Sequence, residues 1–192
     1  MNLGVAYWGF SEVRNMGVNL GLAIQAYWEA LRVYIYEKFP QDYAKTQINL
    51  ANAYSGSSKV RDKEAHLELA IQAYQEALKV FTFENSPQGY ALTQLNLGVA
   101  YCGLSEVRNK EVNLELAIWA YQEALKVRTF ENFPEDYALT QMDLGVSYRR
   151  LSEVKDKEAN LELAIQAHRE ALKAYIYEKL PHWYAKTQMN LG

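Results

Sequence analysis

Three histidines, one cysteine and a recurring asparagine are the side chains best suited to binding or chemistry. His66, His168 and His182 could ligate a metal or pass a proton. They fall at three different places of an internal repeat, so no metal site recurs with it. Cys102 has no histidine at a spacing that would pair it as a nucleophile, and a small packed thiol is its expected state. As the single cysteine it excludes an internal disulfide framework and a cysteine-based zinc site. No glycine-rich phosphate loop or nucleophile elbow appears, and no cofactor is expected. The asparagines differ, because they recur: Asn2, Asn49, Asn96, Asp143 and Asn190. An asparagine offers both donor and acceptor, so this column suits a ligand backbone or, equally, a bond between helices. Thr46–Gln47, Thr93–Gln94, Thr140–Gln141 and Thr187–Gln188 recur beside tyrosines, and a structural role in satisfying buried hydroxyl groups is expected of them.

These residues are carried by a repeat of 47 residues, with units at 2–48, 49–95, 96–142 and 143–189 and a stub at 190–192. All four prolines share one column, and the 15 tyrosines occupy few columns. Within a unit, Leu67, Ala70, Ile71, Tyr74, Ala77, Leu78 and Phe81 follow helical spacing and predict an amphipathic second helix. Asn19, Asn113 and Asn160 are expected to cap this helix, with His66 in the same column. A first helix is predicted after each proline, whose missing N–H costs nothing in the first turn. No segment alternates with period two for long enough to form a sheet. The expected class is all-α, with about eight helices and half-helices at both ends. One hairpin cannot bury both faces of its helices, so stacked units must share a core.

Half the residues are apolar (49%), which excludes a disordered chain, and 192 residues suit one domain, 1–192. A net charge of −3 argues against a general nucleic-acid binder, because counterion release needs clustered Lys and Arg. No apolar run approaches the ~18 residues of a membrane span. The N-terminal MNLGVAYWGF lacks a basic start and an apolar signal core, so a cytoplasmic setting is expected.

The repeat resembles the tetratricopeptide repeat family. A leucine–glycine pair and a tyrosine in the first helix match Leu97, Gly98 and Tyr101; the second-helix alanine, aromatic and alanine match Ala117, Tyr121 and Ala124. Unit two has Leu50, Ala51, Tyr54, Ala70, Tyr74 and Ala77, and unit four has Leu144, Gly145, Tyr148, Ala164, His168 and Ala171. The period of 47 exceeds the family's usual ~34. Gln47, Gln94, Gln141 and Gln188 replace the family's early tryptophan. This longer form looks like the extended repeats of cyanobacterial and other bacterial multidomain proteins.

The resemblance implies an α-solenoid, a right-handed superhelix of four stacked helix-turn-helix repeats. It further implies a concave groove, lined by first helices, that binds a peptide or partner protein without enzymatic activity. The implied groove positions are Lys45, Ile48, Asn52 and Ser55, then Leu92, Leu95, Asn96, Val99 and Cys102, then Leu139, Met142, Val146 and Arg149. These columns vary between units, as a site of individual function would. Ile48, Leu139 and Asp143 stand where some family members place cations, so a carboxylate clamp is not expected. Trp8, Trp28, Trp119 and Trp183 interrupt their columns, and Trp28 and Trp119 suit a convex interface on second helices. A nucleic-acid reader is a remote alternative. The nearer alternative is a self-assembling repeat, or part of a longer array, that oligomerises through uncapped ends as a homodimer or larger homo-oligomer.

Overall fold

The computed structural model describes residues 3–11, 15–60, 62–174, 185 and 187–190. The predicted residues Asn2, Pro181, His182 and Trp183 lie outside them. Eight helices pair as hairpins: α1 (Leu3–Ser11) with α2 (Met16–Leu31), α3 (Pro40–Ser57) with α4 (Lys63–Leu78), α5 (Pro87–Leu104) with α6 (Lys110–Leu125), and α7 (Pro134–Leu151) with α8 (Lys157–Ala174). Residues 187–190 are again helical. Pro40, Pro87 and Pro134 each open a first helix, where the fixed φ of proline is already helical.

The second helices begin earlier than the sequence suggested. Asn15, Asp62, Asn109 and Asp156 precede them in the left-handed region, at φ 52°, 42°, 43° and 37°. Asn and Asp tolerate this conformation better than other side chains. Asn113 and Asn160, expected as caps, therefore lie inside the first turn. Their Nδ2 groups donate backwards, to the Arg108 carbonyl at 2.7 Å and the Lys155 carbonyl at 2.8 Å, and so tie the connecting loop to the helix. Asn19 likewise lies within α2, and His66 in that column sits with Nδ1 3.1 Å from the Asp62 carbonyl.

Each helix packs on the next along the chain, and first helices also touch across hairpins, α3 with α5 and α5 with α7. The chain is thus an all-α solenoid of stacked hairpins. One continuous core runs from Ala23 to Ala167. Its tightest contacts set a small residue of the first helix against the ring of the second. A methyl group on Gly98 would fall 2.6 Å from Tyr121 Cε1, closer than atoms pack.

Most buried polar groups in the first helices are answered locally, although Gln94 Oε1 has no hydrogen-bond partner among the described residues. Thr46, Thr93 and Thr140 each donate to the carbonyl four residues back at 2.7 Å. Gln47, Gln94 and Gln141 hydrogen-bond to Tyr43, Tyr90 and Tyr137 one turn earlier. Those hydroxyls donate to Glu76, Glu123 and Glu170 at 2.9, 2.6 and 2.8 Å, fastening each first helix to its second. This arrangement accounts for the recurring threonine–glutamine pair.

Candidate functional site: a cleft between α1, α3 and α5

The groove positions named from the sequence separate into two sets. Ile48, Leu95 and Met142 are buried. Each lies one turn after a fully buried alanine (Ala44, Ala91 or Ala138), so it continues the core stripe of its helix instead of lining a groove. Lys45, Leu92, Val99 and Arg149 are exposed, whereas Asn52, Ser55, Asn96, Cys102, Leu139 and Val146 are half-buried.

Part of the second set converges. Asn52 and Ser55 of α3 and Asn96 and Val99 of α5 line a cleft of about 360 Å³ with Trp8 of α1. The cleft is open because of two glycines. Gly56 and Gly103 stand at the column that Arg150 occupies in α7. In α7 that arginine fills the equivalent space: its Nη1 lies 3.1 Å from Cys102 Sγ, 3.2 Å from the Cys102 carbonyl and 3.1 Å from Glu106. A methyl on Gly103 would meet Leu67 at 3.3 Å, so Leu67 forms part of the cleft floor.

Tyr74 forms the rest of the floor. It is buried, and its hydroxyl donates to Asn52 Oδ1 at 2.6 Å. Burial pushes this phenol well above its ordinary range despite a hydrogen bond from Ser55, so it remains a donor at neutral pH. Asn96 Nδ2 reaches the same Asn52 oxygen at 3.5 Å. The Asn52 carbonyl is thereby engaged, and its amide N–H groups are what it offers a ligand. Its column otherwise holds Val5, Val99 and Val146, and Trp8 shares a column with Ser55, Cys102 and Arg149. The cleft thus brings together Asn52, where the other units have valine, and Trp8, the one aromatic of a column that differs in every unit. Charge lies at its rim, where Lys63 pairs with Glu106 and holds that carboxyl below the usual range against a smaller cost of burial. Lys59, also at the rim, is exposed and makes no ion pair with another described residue.

The sequence marks Trp8 as an interruption of its column without placing it in the groove, and it gives no sign of Lys59 or the two glycines. Trp8 was legible as the first-unit occupant of the Ser55 column, but the groove positions were counted only from unit two onward. Of the two tryptophans expected at an interface, Trp28 is exposed yet engaged: its Nε1 donates to Tyr54 Oη at 3.0 Å. Gln75 and Gln122, in the same column, donate to Tyr101 and Tyr148 at 3.2 and 3.0 Å. The indole therefore substitutes for an amide. Trp119 is exposed on α6. Among the described residues no group of three or more His, Cys, Asp or Glu side chains could hold a metal ion, and no helix is long and apolar enough to cross a membrane.

The fold and the cleft together define a helical-repeat solenoid with an individual recess on its first-helix face. No protein-family model matches the chain, and no curated protein does. The chain is similar to two solved structures of MamA, each at 18% identity and a TM-score of 0.42. One match covers 93% of this chain and 93% of the other; the second covers 91% and 95%.

Proposed function

We propose that the chain is a non-enzymatic protein-interaction scaffold, one repeat array over 1–192, that holds a peptide or protein segment on its first-helix face. The segment seats in the cleft between α1, α3 and α5. The observation that carries this reading is the break in the repeat at Trp8 and Asn52, placed where Gly56 and Gly103 leave room. A large aromatic beside an asparagine with free amide donors suits an apolar side chain and the peptide backbone next to it. Lys59 at the rim favours an acidic residue in the same segment. Lys45, Leu92, Leu139, Val146 and Arg149 extend the face on which a longer partner would lie. No cofactor takes part.

The test uses Gly103→Arg. Arg150 demonstrates that an arginine at this column fits the fold, and the flexible Leu67 side chain can yield the few tenths of an ångström required. Capture from native lysate, read by mass spectrometry, is compared between the natural chain and this variant. A partner retained by the first and lost by the second, with the helical circular dichroism of the two identical, supports the reading. Equal capture by both moves the binding surface away from the cleft and overturns it.

A further inference from the structure

Arg128 interrupts a column that is otherwise aromatic, with Tyr34, Phe81 and Tyr175 in the other units. Phe81 packs on the first turn of α5, where a methyl on Gly89 would fall 3.0 Å from its Cγ. One unit later both positions differ, and Arg128 faces Asp136. Arg128 is 8% exposed and Phe81 5%, so the guanidinium is placed almost as deeply as the ring. Its Nη1 stands 3.6 Å from Asp136 Oδ1, beyond hydrogen-bond length, and has no hydrogen-bond partner among the described residues. Burial lowers the pKa of the group, and the Asp136 charge offsets this only in part. The arginine nevertheless stays charged at neutral pH. A buried charge without its full set of hydrogen bonds is costly. A ring serves the fold at the same place in unit two, so packing alone does not account for the arginine.

Beside the guanidinium lies a cavity of about 250 Å³ between the starts of α5 and α7. Gln88 brings the first turn of α5 to its wall. That turn carries no acidic residue, whereas α3 has Asp42 and α7 has Glu135 and Asp136. The positive end of the α5 dipole is therefore not answered by its own first turn. Leu92 and Phe133 give the cavity apolar sides. Asp136 is the opposing charge, but its side chain is 51% exposed. It also sits in the first turn of α7, where the helix dipole favours a carboxylate without help from Arg128.

We propose that this cavity is a carboxylate site. An acid on a short aliphatic stem, such as a glutamate side chain or a small dicarboxylic acid, enters between Leu92 and Phe133 and binds Arg128. Asp136 then turns out toward solvent. A carboxylate suits the site better than a phosphate, because its two oxygens match the planar fork of the guanidinium. Its single charge also replaces the single charge of Asp136, where a phosphate would bring more. The site is separate from the cleft: Gln88 lies about 12 Å along α5 from Asn96. It therefore stands whether or not a segment seats beside Trp8.

Titration of the natural chain, followed through its arginine Nε–H signals by heteronuclear NMR, provides the test. The probes are N-acetylglutamic acid N-methylamide, its glutamine counterpart, glutarate and inorganic phosphate. The Arg128 signal is the one missing from Arg128→Met, whose unbranched side chain keeps the packing of the stem. Arg128→Lys assigns it instead should the first variant lose its helical circular dichroism. A saturable shift of this signal is expected with the glutamate derivative or with glutarate, and none with the glutamine derivative. The stronger of the two acids tells whether the natural ligand is part of a peptide or a free small molecule. Asp136→Asn removes the competing carboxylate and is expected to tighten binding about two- to fivefold, the range of a half-exposed ion pair. No shift with either acid makes Arg128 a structural partner of Asp136 and overturns the proposal. An equal response to phosphate or to the glutamine derivative also overturns it, as does binding that Asp136→Asn leaves unchanged or weakens.

Discussion

The ring of His168 lies against Gly145, so closely that a methyl there would fall 2.7 Å from Cε1. His168 stands in the column of Tyr27, Tyr74 and Tyr121, is 1% exposed, and neither ring nitrogen has a hydrogen-bond partner among the described residues. Burial, with a smaller contribution from the Arg149 charge, holds its pKa below the ordinary 6.5. The folded chain therefore keeps this imidazole neutral, while the unfolded chain takes up a proton near the ordinary value. Its contribution to stability is complete above that value and declines as pH falls from there toward the lowered folded value. His168→Tyr is expected to remove this decline. It should also raise stability by about 1 kcal/mol by relieving unpaired ring nitrogens, or roughly 2–4 °C in melting temperature. Thermal unfolding at several pH values between neutrality and pH 5 checks both. An unchanged pH slope in the variant would assign the decline to other groups.

Acid stability should depend on the tyrosine–glutamate clasps. Lys79 and Tyr43 hold the Glu76 carboxyl below its ordinary value, Lys173 and Tyr137 do the same for Glu170, and burial opposes them in both. Burial also raises Glu123, but the hydrogen bonds from Lys126 and Tyr90 outweigh it. Burial and the facing carboxylates push Tyr90 and Tyr137 up to about 12. Depressed carboxyls contribute stability above their unfolded values, and that contribution is lost as pH falls through the folded ones. Tyr90→Phe is expected to cost about 1 kcal/mol near neutrality and to lift Glu123 toward its ordinary value, which shifts acid unfolding to higher pH. Urea titrations at neutral pH and near pH 3.5 check this. The gap between natural and variant stability should narrow at the lower pH.

Leu95 and Met142 furnish a contrast with the cleft. Leu95 is 7% exposed and Met142 3%, so Leu95→Ala is expected to cost 2–5 kcal/mol through the cavity it leaves, on the order found for buried leucines. Partner capture per folded molecule should stay unchanged. Gly103→Arg should show the reverse, with capture lost and stability nearly kept. Thermal melts run beside the capture assay separate the two variants, and a loss of capture in folded Leu95→Ala would return this column to the binding surface.

That contrast also explains what could be read from the sequence. The hairpins were legible because a 47-residue period, a proline at each first turn and 3.6-residue spacing all point to the same elements. The start of the second helix was displaced because Asn113 and Asn109 are both good terminal residues, and only the left-handed backbone at Asn109 decides between them. The resemblance places Ile48, Leu95 and Met142 in the groove, and their variation suits a site of individual function. Their variation exchanges one apolar side chain for another of similar volume, which a core tolerates as readily as a surface does. The cleft stayed hidden for a different reason: it is formed by side chains that Gly56 and Gly103 lack, and a space between two helices has no signature within either.

Trp28 should prove structural, contrary to its expected place in an interface. Its Nε1 donates at 3.0 Å to Tyr54 Oη, and Tyr54 is only 8% exposed. Gln75 and Gln122 perform the same task for Tyr101 and Tyr148. Trp28→Gln is therefore expected to change stability by no more than ~0.5 kcal/mol, because the amide restores the donor and the indole it replaces is half-exposed. Trp28→Leu keeps an apolar side chain but no donor. It should cost about 1 kcal/mol through the hydroxyl left without its partner. Chemical denaturation of the two variants beside Tyr54→Phe closes a cycle: once Tyr54 has lost its hydroxyl, Trp28→Leu and Trp28→Gln should become equivalent. If they differ as much as before, the indole acts through packing and not through this hydrogen bond.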